Sequence, residues 1–364
     1  MLFNNAVRIK APLVSKAMAA NAGFKAELKV IGTARDGRIL AVDDSRAFPK
    51  TSMVLFSGFL VPEEAETGPA RAEEVVVKVH SPLRENERSQ FMLEKEILAR
   101  LSGLAGVPQV EAVGEVDVSL ETTVGNDFHR LKTESNNPFF AMRKIAGRDF
   151  NEFVLRRWDK ALPGKEEVAI LAQKAFPLLA ERLADIHSRG VVHRDIKPNN
   201  ILFDVKTGAT AVLDFGRANY LDAPARNDVG TIGYHAPELG KENVEDVRSD
   251  VYGLGATCLT ILTDQGVHYE GINNIWIVSG LEMMIIGAWR IEEAYYNGIA
   301  ALRTKPFDEL LRLANMPPEL KETNLGKYLL RLFHPDKEQR PSDMREIADN
   351  LRRLGAELDE HIIW

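Results

Sequence analysis

Apolar and polar positions alternate with a period of two through most of residues 26–140. The runs "ELKVIG", "GRILAV", "SMVLFSGFLV", "EEVVVKV" and "FFAMRKI" are rich in branched side chains and are separated by Gly, Pro and Asp, which predicts strands joined by turns. One stretch breaks that rhythm. "ENERSQFMLEKEILARLSGL" carries apolar residues at 91, 93, 97, 98, 101 and 104, the spacing of a helix that Gly103, Gly106 and Pro108 then end. From Arg148 onward the period becomes helical. "EEVAILAQKAFPLLAERLADIH" keeps apolar residues three and four apart up to Gly190, and Pro177 inside it predicts a kink or a late helix start. Two short strands follow, "NILFD" and "ATAVLDFG", and helical periodicity resumes after Pro237. The expected fold class is α+β and bilobal: a small antiparallel β-sheet N-lobe with one main helix, then a larger, mostly α-helical C-lobe. The expected boundaries are an N-terminal extension over 1–25, the strand-rich lobe over 26–142 with an insertion at 44–72, a connector at 143–150, and the helical lobe over 151–364.

Composition narrows the function classes without naming one. The chain has 364 residues, 45% hydrophobic and 27% charged, with a net charge of −7, which is an ordinary and mildly acidic surface around a sizeable core. No basic run marks a nucleic-acid face. Its one cysteine, Cys258, lies in the apolar stretch "YGLGATCLTIL", so a buried thiol and a reducing compartment are expected. The first 25 residues have no long apolar core. The stretch "IWIVSGLEMMIIGAW" (275–289) is shorter than the ~18 apolar residues of a membrane span and carries Glu282, so it predicts a buried helix. A cytoplasmic protein is expected.

Chemistry concentrates in "VVHRDIKPNN", residues 191–200. The hairpin formed by "NILFD" and "ATAVLDFG" separates this loop from Asp214 by a fixed distance, so Asp195, Asn200 and Asp214 can face a common point. Carboxylate and amide oxygens converging there suit a hard cation such as Mg²⁺, which normally accompanies phosphates. Taken singly, each of these residues reads better as a turn or capping residue; the set does not.

The order "HRDIKPNN", then "DFG" at 214–216, then "GTIGYHAPE" at 230–238 resembles the eukaryotic-type protein kinase family. That resemblance implies transfer of the γ-phosphate of ATP, with Mg²⁺, to Ser or Thr hydroxyls of a protein substrate. It implies Asp195 as the catalytic base, Lys197 as the lysine that neutralises the transferring phosphoryl group, and Asn200 and Asp214 as metal ligands. Thr231 matches the family's substrate-loop threonine. Arg194 can reach an anion on the following segment, yet residues 217–230 contain no Ser or Thr. Activity independent of phosphorylation there is therefore expected, with Asp222 or Asp228 supplying the negative charge.

On the nucleotide side, the resemblance calls for a strand lysine paired with a helix glutamate. Lys78 ends the branched run "EEVVVKVH". Glu94 shares a helical face with Ile97, Leu98 and Leu101, whereas Glu96 does not, so Glu94 is the expected partner. "IGTARDGRILAV" places Gly32, Gly37 and Ile39 at the spacing of the family's glycine-rich loop, with Ala34 in place of the middle glycine and an unusually long path to Lys78. The competing position is "LFSGFLV". In the connector "FFAMRKIAGRDF", Met142 would back the adenine pocket and the main chain at Arg143 and Ile145 would bond the base, with Val76, Ile39 and Leu202 sandwiching the ring.

Further along, Glu238 and Arg340 resemble the family's buried ion pair, and Asp250 resembles the helix aspartate that anchors the catalytic loop. Two other functions fit parts of the pattern. The altered glycine position suits a pseudokinase, a nucleotide-binding scaffold, and the His-x-Asp and Asn elements also occur in small-molecule kinases of related fold. The complete set of catalytic residues speaks against the first and "GTIGYHAPE" against the second.

Overall fold

The computed structural model describes residues 6–22, 28–49, 53–66, 71–80, 87–124, 128–152, 169–226, 231, 233–239, 246–263 and 301–357. The chain divides into two compact units, residues 1–103 with 108–145, and residues 104–107 with 146–364. The division falls inside the expected connector.

In the first unit the period-two runs become strands: β1 (Ala6–Lys10), β2 (Lys29–Thr33), β3 (Ile39–Pro49), β4 (Met53–Val61), β5 (Glu73–His80), β6 (Val110–Val124) and β7 (Phe128–Arg143). Among the described residues they form one antiparallel sheet in the order β1-β6-β7-β5-β4-β3-β2. Alternation sends Val54, Phe56 and Leu60 of β4 and Val75, Val77 and Val79 of β5 to one face, where they join Ile9, Leu40, Val118 and Phe139 in a common core. The opposite face receives two helices. Helix α2 (Arg88–Arg100) brings Phe91 against Phe140, ring centroids 5.0 Å apart, and buries Glu94, Ile97 and Leu98. Helix α1 (Lys16–Asn21), capped by the Ser15 side chain accepting from the Met18 amide, packs Met18 with Val14, Leu28, Ala41 and Val61.

Two expectations about this unit change. Residues 1–25 do not stand apart as an extension: Ala6–Lys10 pair with Asp117–Glu121 of β6, and α1 covers the sheet. Residues 53–61, expected within an insertion, form the strand hydrogen-bonded to β5. Strand β6 went unpredicted because acidic and small residues dilute its apolar alternation in "VEAVGEVDVSLETTV".

The second unit is helical. Helix α3 (Phe176–Ser188) starts at the expected proline, behind a π-helical turn over Leu171–Ala175. Strand β8 (Arg148–Asp149) pairs with β10 (Ile201–Phe203), which pairs with β11 (Thr210–Val212). Strand β9 (Val191–Val192) pairs with β12 (Asn219–Tyr220). Helix α4 (Arg248–Thr263) is buried along its length from Ser249, including Cys258, whose thiol burial pushes well up. The chain continues through α5 (Phe307–Leu313), α6 (Pro318–Glu322), α7 (Asn324–Leu332) and α8 (Met344–Ala356). Helix α8 lies close against the turn before α3, and Arg345 and Arg352 pair with Asp185 and Glu181 of α3. The stretch 275–289 lies outside the described residues. No helix among those described is long and apolar enough to cross a membrane.

Candidate active site

In the second unit the polar loop is held by one carboxylate. Asp250 projects from the first turn of α4 and is 1% exposed. Its oxygens accept from the main-chain amides of His193 (2.8 Å) and Arg194 (2.7 Å), and it hydrogen-bonds His187 Nε2 at 2.8 Å. Burial alone would raise the Asp250 carboxyl. The hydrogen bond to His187 and the electrostatic pull of the His187 and His193 rings outweigh it and hold the group below its ordinary value. Arg194 adopts φ +68°, a left-handed conformation uncommon for a side-chain-bearing residue, and these bonds help hold it there.

The loop then presents its chemistry. Asp195, buried in the second unit, accepts on Oδ2 from Lys197 Nζ (2.7 Å) and Asn200 Nδ2 (3.1 Å), and on Oδ1 from Thr231 Oγ1 (3.0 Å). Lys197 Nζ also donates to Thr231 Oγ1 at 2.7 Å. Asn200 Nδ2 donates to the Asp195 carbonyl as well, so its amide nitrogen is pinned at 2.9 Å and its oxygen is directed elsewhere. The hairpin ties the two loops together. Ile201 faces Val212, the Leu213 amide donates to the Asn200 carbonyl at 2.8 Å, and Asp214 follows immediately. His193 closes the arrangement, its ring bonded to the Leu213 carbonyl (2.9 Å) and stacked edge-on to Phe215 at 4.8 Å.

Asp214 sits at φ +60° at the head of the short turn Phe215–Arg217 and makes no side-chain capping bond to it. Asn200 and Asp214, on either side of the hairpin, carry amide and carboxylate oxygens of the kind with which a protein holds Mg²⁺ together with phosphates. Among the described residues no group of three or more His, Cys, Asp and Glu side chains is gathered as a self-sufficient metal cage.

The first unit carries its own constellation. Lys78 Nζ donates to both oxygens of Glu94, at 2.6 and 2.7 Å, with both side chains almost fully buried. Glu96 is exposed. Val76 lies beside Met142 across β5 and β7, on the face that carries Lys78. The Arg143 amide donates to the Gln109 carbonyl and the Lys144 amide to the Glu74 carbonyl, so a base can meet Arg143 only through its carbonyl. The Arg143 guanidinium pairs with Glu73 (2.7 Å) and Glu111 (2.9 Å). Leu202 is half-buried in β10 of the second unit.

The structure does not bring Gly32, Gly37 and Ile39 to Lys78. They belong to the β2–β3 hairpin, and β4 lies between that hairpin and the lysine strand. Gly32 faces the opposite side of the sheet, where a β-carbon would stand 3.3 Å from Phe139 Cζ. Ala34, which sequence reasoning set in place of a phosphate-loop glycine, buries its methyl in that same core. Gly37 forms the hairpin turn at φ +88°, at the Glu73 end of the sheet, where Arg38 bonds Asp36 and Glu73. Ile39 packs against the α1 cluster. The hairpin adjacent to β5 is β3–β4. Met53, the first residue of β4, faces His80, and residues 50–52 lie outside those described. The competing position "LFSGFLV" is β4 itself.

Glu238 and Arg340 form a buried bidentate pair at 2.6 and 2.9 Å, and the guanidinium also stacks 4.9 Å over Tyr252. His235, which sequence reasoning passed over, is buried beneath the loop with Nδ1 3.3 Å from the Thr231 carbonyl. Burial, reinforced by the Arg217 and Arg194 charges, pushes its pKa down to about 4. His187 was also missed. Its signal was weak, a polar residue closing an apolar helix that could as well have been a solvated end.

Comparison with known proteins points to one family. The DNA damage-responsive serine/threonine-protein kinase RqkA of Deinococcus radiodurans is 31% identical over 216 residues, 55% of this chain and 28% of RqkA. The serine/threonine-protein kinase PknF of Mycobacterium tuberculosis is 35% identical over 127 residues, 33% of this chain and 26% of PknF. The chain thus spans little more than a quarter of the length of these relatives. The solved structure of the Cydia pomonella granulovirus kinase PK-1 shares the fold, with a TM-score of 0.55 at 17% identity over 86% of this chain and 94% of that one. The sequence profile of the protein kinase domain matches residues 127–351, more than half of the chain, starting after Lys78 and Glu94 and covering residues 191–200 and 214–216. With that match, and with the hydrogen-bonded Asp195–Lys197–Thr231 set inside it, the chain belongs to the protein kinase family.

Proposed function

We propose that this chain transfers the γ-phosphate of ATP to Ser or Thr hydroxyls of a protein substrate. The observation that carries the reading is the fully engaged Asp195: Lys197, Asn200 and Thr231 fix both of its oxygens, which leaves the carboxylate oriented to receive the proton of an incoming hydroxyl. Lys197, held between Asp195 and Thr231, brings a positive charge to where the phosphoryl group would lie, and a lysine two residues after Asp195 favours a Ser or Thr acceptor over Tyr. Asn200 and Asp214 would hold Mg²⁺, which when bound neutralises phosphate charge and orients the phosphates. Lys78, kept in place by Glu94, would meet the nucleotide phosphates. The Arg143 carbonyl and the Ile145 main chain would read the base beside Val76 and Met142. Gly32, Gly37 and Ile39 have no part in this reading.

The test is labelled Mg-ATP with a mixed protein and peptide substrate set, comparing wild type with Asp195→Asn. Phosphoserine or phosphothreonine in product, lost on the order of 10³-fold in the variant while nucleotide binding persists, supports the reading. Nucleotide binding with no Asp195-dependent transfer would mark a scaffold. Transfer to sugars or aminoglycosides alone would mark a small-molecule kinase.

A further inference from the structure

The segment after Asp214 is held in place by arginines bound to main-chain carbonyls. Arg194 is 3% exposed. Its Nη1 donates to the Arg217 carbonyl at 3.2 Å and its Nη2 to the Arg226 carbonyl at 2.8 Å, two acceptors nine residues apart. Arg226 returns the contact, its Nη1 reaching the Ala218 carbonyl at 3.4 Å. Between these points Asn219 Nδ2 donates to the Pro224 carbonyl at 3.0 Å, Asn219 and Tyr220 pair with Val192 and Val191, and the Leu221 amide donates to Gly190 at 2.9 Å. Each end of residues 217–226 is thereby tied to the same loop that carries Asp195.

An arginine at this place can be satisfied by a phosphate, whose oxygens accept several charge-assisted bonds. Here carbonyl oxygens supply acceptors, and residues 217–230, "RANYLDAPARNDVG", offer no Ser or Thr to modify. The nearest aliphatic hydroxyl, Thr231, already bonds Asp195 and Lys197. A phosphate on it would set a dianion against the Asp195 carboxylate. Of the acids expected to supply a charge, Asp222 is exposed and Asp228 lies outside the described residues.

We propose that Arg194 and Arg226 are positioning residues that fix residues 217–226 in the working arrangement, so that transfer needs no phosphate on this segment. The inference rests on the kinase reading above and adds its regulation: the enzyme would be competent as synthesised, and control would be exerted elsewhere.

The experiment uses the full chain, treated with a broad-specificity phosphatase until its intact mass shows no phosphate. Expected is a kcat within about twofold of the untreated enzyme. A fall of about tenfold or more, restored together with a mark mapped to Tyr220 or Thr231, overturns the proposal. In the phosphate-free protein, Arg194→Gln should lower kcat roughly tenfold or more with KM for ATP within about twofold, and Arg194→Lys should restore only part of it because one ammonium cannot span two carbonyls. An Arg194→Gln enzyme with undiminished kcat overturns the clamp. Should that variant fail to fold, Arg226→Gln in the phosphate-free protein decides: a kcat about tenfold or more below wild type supports the clamp, and an undiminished kcat overturns it. Wild type that binds Mg-ATP but transfers nothing before phosphatase treatment refutes the kinase reading itself, a result distinct from all of these.

Discussion

In residues 187–217 of the second unit, the groups proposed for the chemistry are held around buried Asp250 and Asp195. In residues 29–94 of the first unit, the comparable groups are spread over four strands and a helix, and what sits beside Lys78 is decided by strand order. The difference is one of contact range. A short loop carries its geometry in its own spacing. A sheet carries it in pairings between segments separated by tens of residues, where one additional strand moves a whole hairpin away from its expected place.

The largest test of this contrast is Lys78→Met. Lys78 is the residue of the first unit whose placement is settled by a direct bond, to Glu94, rather than by register alone. Removing it should lower kcat/KM on the order of 10³-fold, about 4 kcal/mol of transition-state stabilisation, because the phosphates lose a fixed buried cation. Steady-state transfer from labelled ATP reads this out. An active Lys78→Met enzyme would mean that the lysine strand does not meet the nucleotide.

The second unit has an ion pair of the same kind in a purely structural setting, and it sharpens the contrast. Arg340→Met leaves Glu238 buried without its guanidinium and removes bonds to the carbonyls of His334 and Arg248. The expected loss is about 3 kcal/mol of unfolding free energy, read from a denaturant titration. KM for ATP should hardly move.

These two pairs also show how much could be read in advance. Glu94 was separable from Glu96 because helical periodicity states which side chains face inward. The bonded pair Asp195 and Asn200 and the position of Asp214 just past the hairpin were legible because a hairpin of fixed length joins them. Strands β1 and β6 and the true neighbour of β5 were not legible. Alternation says that a segment is a strand but not which strand it pairs with, and a glycine spacing is satisfied by an ordinary turn as readily as by a phosphate loop. Ala34 illustrates the error: its methyl fills the sheet core, so it carries no information about phosphate approach.

A pH titration separates the two units differently. His235 has its pKa lowered in the folded protein from 6.5 to about 4, chiefly by burial. As pH falls below 6.5 the unfolded chain takes up this proton first, so stability declines through the window down to about 4 and then levels off, a loss of up to about 3 kcal/mol. Buried His334 is shifted in the same direction and adds to the slope. Urea midpoints measured across this range should fall for wild type and flatten in His235→Met. An unchanged slope in the variant would place the acid sensitivity elsewhere.

The smallest effect is the most direct test of the strand order. Gly37→Ala forces a side chain into φ +88°, with nothing within 4 Å of the added β-carbon, so its cost is backbone strain alone, about 1 kcal/mol of stability. KM for ATP should stay within about twofold of wild type, because the β2–β3 turn stands at the Glu73 end of the sheet, away from Lys78. Were this turn the phosphate-binding loop, the same methyl would obstruct the main-chain approach to the nucleotide and KM would rise by about tenfold or more. A stability loss without a change in KM therefore keeps β3–β4 as the hairpin beside the lysine. A change in KM would return the nucleotide to Gly32 and Gly37 and remove β4 from its place between them and Lys78.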